Sequence, residues 1–237
     1  MATRRGRRMT TVLLGLGLTV VLVAGAALWW VVLRDDTPAE AALVEREVVT
    51  TEQAADDELS GTWTVVTGPD VWAGYRITEQ LGALDNVAVA RTRDVDASLT
   101  IAGTEVTEVT AQVDMTTLVS EDTELPVGGR DEAMKTEGLE TDLHPTATFT
   151  LTEPVDLGDL PEPGAEVTAD AVGLLDLHGV ERPVTIAIAA RWNGEVIDLT
   201  GSVEIALADH AIDPPAPQIV TVADSGTLEL QLTFARP

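Results

Sequence analysis

The sequence predicts an all-β domain, about eight or nine mostly antiparallel strands with one short helix, standing behind a single membrane-spanning helix. Three observations carry this. Apolar residues return at every second position in one segment after another, glycine-bearing dipeptides punctuate those segments, and one long uncharged run lies near the N-terminus.

Residues 1–8 hold Arg4, Arg5, Arg7 and Arg8, and the run from Met9 to Leu33, MTTVLLGLGLTVVLVAGAALWWVVL, carries no charge before Arg34-Asp35-Asp36 closes it. A helix needs roughly 20 apolar residues to cross the hydrocarbon of a bilayer, so residues 9–33 suffice for a transmembrane helix. The arginines put residues 1–8 in the cytoplasm and everything after Leu33 outside the cytoplasmic membrane, with Trp29 and Trp30 near the outer interface. Ala24-Gly25-Ala26 offers a small-x-small cleavage site as the competing signal-peptide reading, but cleavage there leaves ALWWVVL as an apolar new terminus. Residues 34–59, rich in Ala, Glu, Asp and Thr, read as a flexible stalk, at most weakly helical between Ala39 and Val48. The folded domain is expected over residues 60–237.

Within it, Trp63 and Val65 share one face of TWTVV, Tyr75 and Ile77 one face of AGYRI, and Leu99 and Ile101 one face of ASLTI. Val109, Ala111, Val113 and Met115 alternate with Thr110, Gln112 and Asp114. Ala147, Phe149 and Leu151 alternate with threonines. Leu175 and Leu177 precede a short turn, and Val184, Ile186 and Ile188 continue the period after it. Val203, Ile205 and Leu207 follow, then Leu228, Leu230, Leu232 and Phe234. Period two with β-branched enrichment marks half-buried strands. Asn193-Gly194, after Trp192, reads as a two-residue hairpin turn, Gly103 as a second tight connection, and Arg130 to Leu139 as a short helix capped at Gly138. A closed barrel and a two-sheet sandwich both satisfy this pattern. About eight strands make a barrel just wide enough to be filled by side chains or to hold one slender ligand.

The order SGTWTVV, GYRITEQL, VDMTTLVSED, GGRDEAMKTEGLE, HPTATFTLT, GLLDLHGVERPVTI, GSVEIALADHAIDPP and GTLELQLTF resembles the YceI-like family from about Ser60 to Phe234. Its most specific pieces are Arg130-Asp131, His144-Pro145, and Gly173-Leu174 through Gly179-Val180 into Pro183-Val184. Departures fall at Ala90 to Ala97, where the family's glycines are replaced, and at Arg76 to Gly82. Members of that family resemble lipocalins in form and are implicated in binding polyisoprenoids and related lipids. The resemblance implies an extended antiparallel lipocalin-like β-barrel whose apolar lumen takes a long, thin isoprenoid chain. The candidate lumen residues are Trp63, Tyr75, Leu99, Ile101, Val113, Met115, Phe149, Leu175, Ile186, Trp192, Ile205, Leu230 and Phe234, with Trp72 read as a mouth residue.

Composition removes several function classes. The chain has no cysteine, which excludes disulfides and thiolate metal sites. Residues 60–237 carry 31 acidic against 8 basic residues, a surface that repels nucleic-acid phosphates. His144, His178 and His210 are the only imidazoles and show no metal-ligand spacing, so no metal is assigned. Asp94-x-Asp96 lacks the glycine and glutamate of a calcium loop. Ser202 has no nucleophile elbow around it, and Gly128-Gly129 precedes no phosphate-loop lysine. Arg130-Asp131 reads as a structural tie between loop and helix. The expectation is a membrane-anchored binding protein without a cofactor and without enzymatic activity, its partners a polyisoprenoid or other long-chain lipid and the cytoplasmic membrane. The rivals are an interaction module with a side-chain-filled barrel and, more distantly, a lipid-acting enzyme.

Overall fold

The computed structural model describes residues 37–49, 59–82, 84–121, 130–214 and 220–237. The expected transmembrane helix and its basic flank lie outside them, and among the described residues no helix is long and apolar enough to cross a membrane. In chain order the strands are β1 (Gly61–Val65), β2 (Trp72–Leu81), β3 (Leu84–Thr92), β4 (Val95–Ala102), β5 (Glu105–Asp114), β6 (Val119–Ser120), β7 (Thr146–Leu151), β8 (Val155–Asp156), β9 (Glu166–Leu177), β10 (Val180–Trp192), β11 (Val196–Ala206), β12 (Val220–Val222) and β13 (Ser225–Ala235). Helix α1 spans Arg130–Thr136, and 3₁₀ turns cover Met115–Thr117 and Leu207–His210.

Eight strands pair in the order β1-β4-β5-β7-β9-β10-β11-β13, each antiparallel to the next. β13 returns to β1 through Thr64↔Ala235 and Val65↔Phe234. That last pairing closes the sheet, so a barrel is formed and the sandwich is excluded. Beyond β1, the same edge of β13 passes to β2 over Trp72↔Gln231 to Arg76↔Thr227, and β3 and β6 continue the wall from there.

The hairpins show why the sequence folds locally as it does. Leu177↔Val180 leaves His178-Gly179 as a two-residue turn with φ of 57° and 71°, both left-handed. Such a turn matches the right-handed twist of the flanking strands. The Asn193 turn is displaced by one residue from the expected dipeptide. Gly194-Glu195 forms the loop, Asn193 N–H donates to Val196 O, and Asn193 Oδ1 accepts the N–H groups of Glu195 and Val196. Pro183 lies inside β10, on a stretch that β11 joins only from Ala187 onward, so its missing N–H breaks no ladder. Asp131 ties α1 to the sheet by accepting the Ser120 N–H at 3.0 Å.

Thr37–Pro237 forms one unit, so the fold begins well before Ser60. Residues 37–49, expected as part of a flexible stalk, carry no helix and run along the outer wall. Arg46 Nε donates to the buried Asp198 carboxylate at 2.7 Å, which also accepts from Thr233 Oγ1 at 2.7 Å. The Asp198 hydrogen bond raises the Arg46 pKa above its ordinary value. Val49 N–H donates to Asn193 O, and Arg76 donates to Pro38 O at 2.8 Å. Arg91 stacks 3.7 Å over the Trp72 ring and bonds Ala39 O. Trp72 is therefore buried on the outer face beneath Arg91, not at a mouth. Replacing Arg46 by Ala strips a buried carboxylate of its charged partner. It is expected to cost about 1–3 kcal/mol in a urea melt and to speed proteolysis within residues 37–49.

Candidate functional site

The alternating strands send one set of side chains inward, and this set divides by size along the barrel axis. At the end holding the β10–β11 turn, Trp63, Leu99, Ile101, Trp192, Leu232 and Phe234 pack into one cluster with Leu59, Val71, Ala97 and Ile197. Trp63 is 1% exposed, and its indole N–H donates to Leu59 O at 3.0 Å. Three large aromatics, Trp63, Trp192 and Phe234, occupy this half.

Toward the other end the inward residues are mostly aliphatic or small, with Tyr75 and Phe149 the aromatic exceptions. They enclose a cavity of about 370 Å³, within the range of small-ligand pockets. β5 supplies Ala111, Val113 and, just past its end, Met115; β7 supplies Ala147 and Phe149; β9 supplies Leu175 and Leu177. β10 adds Ile186, β11 adds Gly201, Val203 and Ile205, and β13 adds Gly226, Leu228 and Leu230. Tyr75 and Ile77 of β2 and Met134 and Leu139 from α1 and its following loop also face the cavity. Two close contacts shape this half. Gly173 of β9 leaves room for the Phe149 ring to lie flat over the backbone, where a Cβ would strike both the ring and Thr150 O. Tyr75 Oη reaches Met134 Sδ at 2.7 Å, pinning the helix over the side of the lumen.

Polar residues also reach the lining. Glu79 is buried, lines the cavity, and accepts from Asn86 Nδ2 at 3.3 Å. Glu137 and Thr148 also reach the lining. The wall is predominantly apolar, an arrangement that suits retention of an apolar molecule.

Of the residues expected in the lumen, Tyr75, Val113, Met115, Phe149, Leu175, Ile186, Ile205 and Leu230 line the cavity. Trp63, Leu99, Ile101, Trp192 and Phe234 do not: they form the plug that floors it. Sequence reasoning missed Leu118, Met134, Leu139 and Ile212. These lie on α1, the loop after it, the end of the Met115–Thr117 turn and the turn after β11, outside any period-two segment, and the one available signal was the amphipathic AMKTEGL stretch itself.

Residues 74–234 match the YceI-like domain family. No curated protein matches the chain in sequence. Among solved structures, a polyisoprenoid binding domain from Saccharophagus degradans implicated in plant cell wall breakdown aligns with a TM-score of 0.53 at 15% identity, covering 75% of this chain and 99% of that one. A Campylobacter jejuni YCEI protein aligns with a TM-score of 0.50 at 15% identity, covering 62% of this chain and 84% of its own. At such identities the likeness is one of fold.

Proposed function

The chain belongs to the YceI-like domain family, and from that premise we propose that its half-hollow barrel binds a polyisoprenoid or similar long-chain lipid. The observation that carries this reading is the aliphatic cavity between the aromatic plug and the rim. A polyprenyl tail is insoluble, and moving each CH₂-sized group from water into such a wall is worth roughly 0.8 kcal/mol. One isoprene unit of five carbons therefore gains about 4 kcal/mol before ordering costs. Glu79 and Glu137 in the lining suit a ligand that carries a polar head on its apolar tail. The polyisoprenoid binding domain of matching fold supports the same ligand class.

In this reading residues 9–33 hold the barrel at the outer side of the cytoplasmic membrane, so the lipid travels a short path between bilayer and lumen. The protein then serves isoprenoid transport, storage or protection under stress, and carries out no reaction on its ligand. Native mass spectrometry of the delipidated full-length chain, offered a polyprenyl lipid in detergent, is expected to show one lipid per chain at low micromolar concentration. A chain that stays unliganded throughout, or that takes up lipids without saturating, contradicts the proposal.

A further inference from the structure

We propose that Glu140, His144 and His178 form a divalent transition-metal site, with zinc as the fitting ion, beside the open end of the barrel. The three residues come from two elements. Glu140 and His144 lie on the loop between α1 and β7, where His144 N–H donates to Glu140 O at 2.9 Å. His178 is the first residue of the β9–β10 turn. One ligand atom from each lies within 4.8 Å of the others. Ligand atoms around a tetrahedral zinc stand about 3.4 Å apart, a spacing that small side-chain rotations reach.

The hydrogen bonds fix which atom faces the site. His178 Nδ1 lies 3.1 Å from the carbonyl oxygen of His210, which only accepts, so Nδ1 carries the proton. In the neutral ring Nε2 then presents a lone pair, and it sits 3.1 Å from Glu140 Oε2. Two electron-rich atoms at that distance need a cation between them, either a second ring proton or a metal ion. A simple ion pair needs no more than these two residues. The His144 ring lies beside them, its centroid 4.3 Å from that of His178. The ring fits because residue 179 is glycine; a Cβ there would stand 2.9 Å from His144 Nδ1. A backbone carbonyl holding the far nitrogen of an imidazole is also the usual outer support of a histidine ligand.

The backbone at these positions follows from the local turns. Among the described residues, the non-glycine positions with positive φ are Glu140 (43°), His178 (57°) and Ala211 (55°). Two are ligands of the cluster, and the third follows His210, whose carbonyl holds His178. The hairpin turn accounts for the left-handed φ of His178, and the end of the Leu207–His210 3₁₀ turn for that of Ala211. Two histidines and one glutamate match the ligand set of open zinc sites, which leaves a fourth position for water. His178 is largely buried and Glu140 more exposed, with side-chain exposures of 8% and 38%, so the site is framed by protein on one side and reachable from the other. Leu139 and Leu177, the immediate neighbours of two ligands, line the lumen, so the metal would join α1's loop to the β9–β10 turn at the rim. The site does not depend on what the lumen holds.

The test uses the full-length chain carrying no polyhistidine tag, stripped with chelator, then titrated with zinc chloride and, separately, cobalt chloride. One zinc per chain is expected, with a cobalt spectrum of low-coordinate, nitrogen- and oxygen-ligated character. His178→Asn retains a side chain that tolerates the left-handed turn, and Glu140→Gln retains the shape of the carboxylate. Each is expected to weaken zinc binding at least tenfold with an unchanged far-ultraviolet spectrum. Zinc that never exceeds background, or that binds equally well to both folded variants, overturns the site.

Discussion

Trp63→Ala is expected to lower stability by about 3–5 kcal/mol in urea or thermal unfolding, because a buried indole of this size leaves a void that its neighbours only partly fill. Trp63 meets Leu99, Trp192 and Phe234 in the plug and donates its N–H to Leu59 O. The same experiment on the hollow half has the opposite character. Leu228 faces the cavity, so truncating it to Ala removes fewer close contacts and is expected to cost about 1–2 kcal/mol, below the usual toll of a buried leucine. Unfolding midpoints of the two variants, with equal denaturant slopes, separate a barrel plugged at one end from one packed evenly along its length. Equal losses would mean that the aliphatic half is ordinary core.

The second large effect concerns the ligand. Val203 lies on β11 between Gly201 and Ile205, with all three on the cavity wall. Val203→Trp is expected to fill the lumen with the protein's own indole and to reduce polyprenyl-lipid uptake at least tenfold, or about 1.4 kcal/mol of binding free energy. Because the new ring occupies space that is already open, stability is expected to change by less than about 1 kcal/mol, well below the cost of overpacking a full core. Binding titrations beside a melting curve check both halves of this statement. A variant that binds lipid like the parent shows that the ligand lies elsewhere.

Strands that keep one wet face were legible in the sequence. β5 and β7 alternate cleanly because threonines, glutamates and glutamines oppose their apolar residues, and the structure finds them where the period places them, whereas on β11 and β13 the polar face is covered at Asp198, Thr200, Glu229 and Thr233. β3 was not legible. Ala88, Val89 and Ala90 are each at most 1% exposed, so both faces of that strand are covered and no polar alternation marks it. The closure of the sheet also escaped the pattern, since β1–β13 pairing joins residues more than 160 positions apart.

The site was half legible for a related reason. Alternation says which way a side chain points but not how far along the barrel it stands. Trp63, Trp192 and Phe234 point inward as expected, yet the register of β1, β10 and β13 carries them into the plug, while Leu175, Ile205 and Leu230 fall in the open half. The outer strap was hidden because Arg46 meets Asp198 and Thr233 only through tertiary folding. The histidines looked unrelated because 34 positions separate His144 from His178, and only the β9–β10 turn brings the rings together.

The most direct test of the half-hollow barrel is photolabelling of the full-length chain with a polyprenyl lipid bearing a diazirine on its tail, followed by peptide mapping. Saturable labels on Val113, Leu175, Ile205 or Leu228, competed away by unlabelled lipid, are the result this account predicts. Labels confined to the outer wall or to the Trp63–Phe234 plug, or no saturable labelling at all, would contradict it.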